Sequence, residues 1–271
     1  MAGDELTVVP VRHWGRWVGG ALILVLLALL GKALSEAEID YAAVPGFFFH
    51  DIMLRALWNT VLLAVAAQAG AIVLGVLIAL LRRSANPVAR WFAAGYVWLF
   101  RGLPVLLQIL LWFNLALVFE HISLPLLFEE KTNVLVTAFV AALLGLGLNE
   151  SAYMAEIVRA GLGSVDHGQV EAAKAIGMTP ATALRRVVLP QAMRVVIPPT
   201  GNNFVNMLKG TSMASVIGFL ELVHAANNIA SRNLQIMETL LAAAAWYMVV
   251  VSVAGVGQHF LERFYGKGVA R

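Results

Sequence analysis

The sequence predicts an all-α fold that crosses a membrane several times, and three observations predict it. Of 271 residues, 60% are hydrophobic and 13% are charged, about half the charged share of an ordinary soluble domain. The apolar residues gather into several stretches near the roughly 20 residues that a helix needs to cross about 30 Å of hydrocarbon. Those stretches are continuously apolar rather than alternating. They suit helices, whose backbone groups satisfy one another without water, and not the strands of a closed barrel.

Six spans follow in order. The first, at 18–34, comes after Arg12 and Arg16 and has the outline of a secretory signal. No small-residue cleavage site follows it and further spans do, so it reads as a membrane helix, with a peripheral helix as the alternative. The second, 58–81, and the sixth, 238–260, are cleanly apolar. The third, 91–119, is interrupted by Arg101-Gly102-Leu103-Pro104, and the fourth, 134–158, by Asn149-Glu150-Ser151. The fifth, 195–221, carries Pro198, Pro199, Asn202, Asn203, Asn206 and Lys209. Such interruptions survive at membrane depth only where protein or a watery cavity covers them.

The charge distribution orients the spans. Arg12, Arg16, Arg82, Arg83, Arg90, Arg159, Lys174, Arg185, Arg186, Arg194, Arg263, Lys267 and Arg271 fall on one side, against Lys32, Arg55, Lys131 and Arg232 on the other. Basic loops stay in the cytoplasm, so both termini are expected there. The net charge of +3 is then a matter of membrane sidedness, and nucleic acid is not an expected partner. The absence of cysteine removes disulfides, thiolate metal sites and cysteine nucleophiles. The six histidines are scattered without an H-E-x-x-H pattern, so no metal site is expected. Trp14, Trp17, Trp58 and Trp91 lie near span ends and read as interfacial belt residues.

The longest basic loop, 159–194, has the composition of structure rather than slack chain. Residues 169–176 favour helix, Gly177 supplies a flexible break, and Thr179 with Pro180 reads as the cap and first position of a second short helix. That helix is expected to run to Val188 and to end at Pro190. Ala172, Ala173, Ile176, Met178, Leu184, Val187 and Val188 give the resulting knob an apolar side in need of a partner.

The stretch EAAKAIGM at 171–178 resembles the EAA signature of ABC importer permeases. RGLPVLLQ at 101–108, AYMAEIVRAG at 152–161, SVDHGQVEAA at 164–173, LPQAMRVVIPP at 189–199 and LKGTSMASVIGFLEL at 208–222 resemble its polar amino-acid branch. The resemblance implies a type I ABC importer transmembrane fold with five core spans, to which 18–34 is an addition. It divides the chain into an N-terminal segment with the extra helix (1–45), a permease core (46–265) and a short cytoplasmic tail (266–271). It implies that Glu171, Ala172, Ala173, Ile176, Gly177, Met178, Thr179 and Pro180 dock on a cytosolic ATP-binding subunit. A second permease subunit and an external amino-acid-binding protein complete the implied assembly in the bacterial inner membrane. No Walker A pattern occurs in the sequence, so ATP and Mg are expected in the partner ATPase and no cofactor in this chain. One departure is Gly210, where family members commonly carry an acid after the lysine; any charge-pair role there is in doubt.

Ionisable groups at membrane depth are costly and face a bundle interior or a cavity. Arg101, Glu150 and Lys209 are such groups. Glu150 stands about 25 Å down a straight helix begun at Asn133. It reads either as a pathway residue or as a structural partner of Arg101, Lys209 or broken-helix backbone. Tyr153 continues its face. Asn202, Asn206 and Lys209, at i, i+4 and i+7, form one polar stripe that suits a solute path or contact between subunits. Glu156 is expected to pair with Arg159 or with basic loop residues. An ion-coupled carrier would also show broken helices and buried charges, but has no use for a docking loop. An intramembrane hydrolase would need a base beside Ser151, Ser212 or Ser215, and helical spacing places none there.

Overall fold

The computed structural model describes residues 14–124 and 128–265, so the expected tail at 266–271 and the charges Arg12, Lys267 and Arg271 lie outside the described residues. The chain divides into two compact units, 1–41 and 42–271. In the first, α1 (Trp14–Glu36) is a single apolar helix with a mean hydropathy of 2.2 over its best window. Lys32 and Glu36 pair at 3.7 Å near its end, and the Tyr41 hydroxyl donates to the Leu34 carbonyl at 2.7 Å.

The second unit begins with the short α2 (Val44–Phe48) and the 32-residue α3 (Asp51–Arg82), whose first turn is capped by His50. At 1.5 Å per residue α3 is about 48 Å long, more than enough to cross hydrocarbon. Its buried face is built largely from small residues, among them Ala56, Ala64, Ala67, Ala71, Gly75 and Ala79, while Trp58, Leu62, Val65, Val73 and Leu77 stand exposed. Small residues inward and large ones outward is the arrangement of a helix that packs closely in lipid. At Gly75 a Cβ would come within 2.5 Å of the Met154 Cβ, which shows how near α7 (Ala138–Gly163) approaches.

Between these helices lie α4 (Pro87–Gly102) and α5 (Val105–Phe113), started by Asn86 with Pro87 and separated by Leu103-Pro104. The third expected span is therefore not one rod: the two helices meet at 101°. Proline removes a backbone donor and disfavours helix at the residue before it, so the turn falls at Leu103. The carbonyls freed there are recovered by side chains. Gln108 donates to Phe100 and Leu103, both at 2.9 Å, and Asn149 donates to Phe100 at 2.6 Å. A 3-10 turn (Leu115–Leu117) then leads into a two-stranded antiparallel hairpin, β1 (His121–Leu124) and β2 (Phe128–Lys131), an element the all-α reading did not contain. The short α6 (Thr132–Leu135) returns the chain to α7.

After α7 come α8 (His167–Ala175) and α9 (Pro180–Ala183). A π turn (Leu184–Val188) joins α9 to α10 (Leu189–Gly210), and a 3-10 turn (Thr211–Ile217) closes α10. The expected stop at Pro190 does not occur. Proline is compatible with the first turn of a helix, and Pro190 sits there in α10. Pro198 and Pro199 lie inside α10 without ending it. The fifth span consequently starts well before residue 195, and it is followed by α11 (Leu222–Asn233), set at 44° to it. α12 (Ile236–Tyr265) is the last span. Among the described residues four helices are long and apolar enough to cross a membrane singly, and the count reaches six if each bent pair is one span.

Candidate functional site

The knob is built by caps. Asp166 accepts from the Gly168 amide at 2.6 Å to start α8. At its end the Gly177 amide donates to the Lys174 carbonyl (2.9 Å) and the Met178 amide to the Ala173 carbonyl (3.0 Å), the Schellman closure that needs a left-handed residue between them. Gly177 supplies it, with φ +80°. The position expected to be a flexible break is thus a defined one. Thr179 caps α9 by accepting from the Thr182 amide at 3.3 Å, with Pro180 in the first turn, as the sequence predicts.

The apolar side of the knob is divided. Ala173 is buried, Met178 half-buried, and Leu184 turns toward a cavity inside the bundle. Ile176 projects outward, 73% exposed, with Glu171 and Ala172 exposed on the same short helix. The second short helix is not a free half of the knob. It is the start of a run of helical turns from Pro180 to Ile217 that includes all of α10.

The polar candidates fall into three groups. Asn203 donates to Glu150 at 2.6 Å, joining α10 to α7. Glu150 makes no ion pair with Arg101 or Lys209 among the described residues, so both charged partners considered from the sequence are replaced by an amide. The Arg101 guanidinium lies 4.9 Å over the Tyr153 ring, within cation-π range. Asn202, Asn206 and Lys209 stand exposed along one face of α10. Arg101 and Tyr153 are also exposed, so these groups lie on the surface of the chain rather than in its packed core. Asn203 was seen in the sequence only as an interruption. Its place three residues before Asn206 on a helix with two further asparagines was the available signal. Glu156 takes Arg159 (2.7 Å) as expected, and also Arg82 of α3.

Glu221 was missed altogether. It is fully buried at the corner between the 3-10 turn and α11, where Gly218 is left-handed (φ +76°). Its carboxylate accepts from the amides of Val223 (2.9 Å) and His224 (2.7 Å) and from the Tyr247 hydroxyl (2.7 Å). Thr60 accepts from the Leu222 amide at 3.3 Å, and Asn59 donates to the Leu220 carbonyl at 2.9 Å. An acid just before a helix is a capping signal, but its tertiary partners have no mark in the sequence. Among the described residues no three histidine, aspartate or glutamate side chains gather as a metal site would require.

The chain matches the family described as binding-protein-dependent transport system inner membrane component over residues 71–267. It is 40% identical over 264 residues to the arginine transport system permease protein ArgU of Corynebacterium glutamicum, covering 97% of this chain and 84% of the relative. It is 34% identical over 206 residues to the probable glutamine ABC transporter permease protein GlnM of Bacillus subtilis, covering 76% and 89%. Among solved structures, an amino acid ABC transporter crystallised with histidines superposes with a TM-score of 0.72 at 33% identity, covering 84% of this chain and 99% of that one. An inward-facing MetNI methionine ABC transporter shares the fold, with a TM-score of 0.61 at 18% identity, covering 79% and 96%.

Proposed function

We propose, from the premise that the chain belongs to the binding-protein-dependent transport system inner membrane component family, a division of labour in which it forms the pathway and other proteins supply energy and solute. The chain is a membrane-spanning permease subunit of an amino-acid ABC importer. The comparisons do not favour an ion-coupled carrier. Cytosolic ATP-binding subunits, which hold ATP and Mg, dock on the α8–α9 knob. An external binding protein delivers a polar amino acid, and a second permease subunit closes the path. Both termini lie in the cytoplasm.

The observation that carries this reading is the helical run from Pro180 to Ile217. A displacement imposed on α9 by a closing ATPase reaches α10 without crossing a loop, and one imposed on α8 reaches α9 through the closed Gly177 turn. α10 carries Asn202, Asn206 and Lys209 on one face and Asn203 against Glu150. A push at Ile176, passed to α9 through the Gly177 turn that the Lys174 and Ala173 carbonyls close, therefore alters the side chains that would meet the solute. Lys209 and Arg101 suit a carboxylate, Glu150 suits an ammonium or cationic side chain, and the asparagines suit either.

Reconstitution in proteoliposomes tests the reading. Uptake should require the ATPase, the binding protein and ATP together. Uptake by this chain alone, driven by an ion gradient, would overturn it.

A further inference from the structure

A cavity of about 690 Å³ lies among α3, α7, α10 and α12. Its wall is almost wholly apolar, with Ile72, Val76 and Leu80 on α3 facing Met193 and Ile197 on α10 and Leu261 on α12. From Gln68 at one end to Leu80 at the other it follows α3 for about 18 Å, close to the half-thickness of bilayer hydrocarbon. Gln68, at its inner end, is 95% buried, and its amide oxygen and nitrogen have no hydrogen-bond partner among the described residues.

The position around α10 separates this slot from the solute path. At about 100° per residue, Met193, Ile197 and Phe204 lie roughly opposite Asn202 and Lys209. At the knob end, a second cavity of about 460 Å³ shares Leu189, Met193 and Tyr265 with the slot and adds Arg194. Arg194 is exposed and has no ion-pair partner among the described residues. An apolar slot half a bilayer deep, opening beside a free guanidinium, has the polarity of one lipid molecule.

We propose that this slot is a binding site for an anionic phospholipid of the leaflet on the knob side, its phosphate at Arg194 and one acyl chain running between α3, α10 and α12 toward Gln68. The acyl chain completes the packing that α3 and α12 leave open. The headgroup anchors the base of α10, where the helical run from the knob enters the membrane.

The full complex with its ATPase, in nanodiscs containing phosphatidylglycerol with a photoactivatable group in mid-chain, tests this by peptide mapping of the cross-links. Label should appear on the slot residues of α3 and α10. Arg194→Gln should reduce it about fivefold, the worth of one arginine at an anionic membrane surface. The zwitterionic phosphatidylethanolamine probe should label the slot weakly from the start. Ile72→Trp and Val76→Trp, each checked for intact assembly, should block slot labelling while the exposed face of α4 at Trp91 and Trp98 is labelled as before. An unlabelled slot, including one covered by a second copy of the chain, overturns the proposal, as does equal labelling by both lipids with no effect of Arg194→Gln. None of these readouts depends on uptake, so failure here is distinct from failure of the importer reading.

Discussion

The α8–α9 knob and the Glu221 corner are the same local device in opposite surroundings. Each turns the chain through a left-handed glycine, Gly177 or Gly218, and restarts a helix with a side-chain cap, Thr179 or Glu221. At the knob the cap is exposed, its partners lie within three residues, and Ile176 is left to solvent. At the corner the cap is buried, and Tyr247, Thr60 and Asn59 arrive from distant helices to share the polar groups. Water can replace a lost hydrogen bond at the knob but not at the corner. A docking surface can therefore be held by local chemistry and still present unmet apolar area to a partner. A bend inside the bundle has to satisfy its backbone groups from within the protein.

The sharpest way to break this contrast is Glu221→Ala. It strips the acceptor from two amides and one hydroxyl in a buried site, a loss of roughly 3 to 5 kcal/mol. The purified protein should melt well below the parent, and Glu221→Gln, which keeps an acceptor oxygen, should lose less. An unchanged melting temperature for Glu221→Ala would mean that the corner is not a lock.

Gly177→Leu should cost about 1 to 2 kcal/mol, since a side chain there opposes the left-handed conformation. The loss should register mainly in function. The permease should still insert, while co-purification of the ATPase and uptake both fall. Undiminished co-purification with intact uptake would show that the knob is not the coupling element. Thr179→Ala, which removes only the α9 cap, should act in the same direction with a cost of about 1 kcal/mol. A Thr179→Ala defect larger than that of Gly177→Leu would reverse the assignment of the turn's geometry to its glycine.

The smallest expected effect on the fold is Glu150→Gln, because an amide oxygen can still accept from Asn203. If Glu150 faces solute, uptake of cationic amino acids should fall more than uptake of neutral ones. Equal loss across substrates with a less stable complex would instead make Glu150–Asn203 a structural link between α7 and α10.

The elements with local causes were legible. The caps Thr179 and Pro180, the glycine at 177, and the break before Pro104 each follow from preferences of one or two residues, and each stands where the sequence predicts it. Pro190 was misread because its meaning depends on direction. Proline stops an incoming helix but is compatible with the first turn of a new one, and only the π turn at Leu184–Val188, with α10 starting at Leu189, shows which applies. The polar groups at membrane depth were legible as a set but not as pairs. Charge predicts that Glu150 seeks Arg101 or Lys209, whereas the packing of α7 on α10 puts Asn203 beside it.

By itself the sequence determined that this protein is a helical membrane protein with several apolar spans, and which loop holds ordered short helices. Those outcomes depend on apolar run length and on caps that act within a turn. Only the tertiary structure decided how Phe100 and Leu103 recover their hydrogen bonds, what Glu150 and Glu221 hold, and that α9 and α10 form one run of helix. The physical reason is that a polar group in hydrocarbon has to find its partner wherever the packing of small residues brings two helices together, and that distance is not written along the chain.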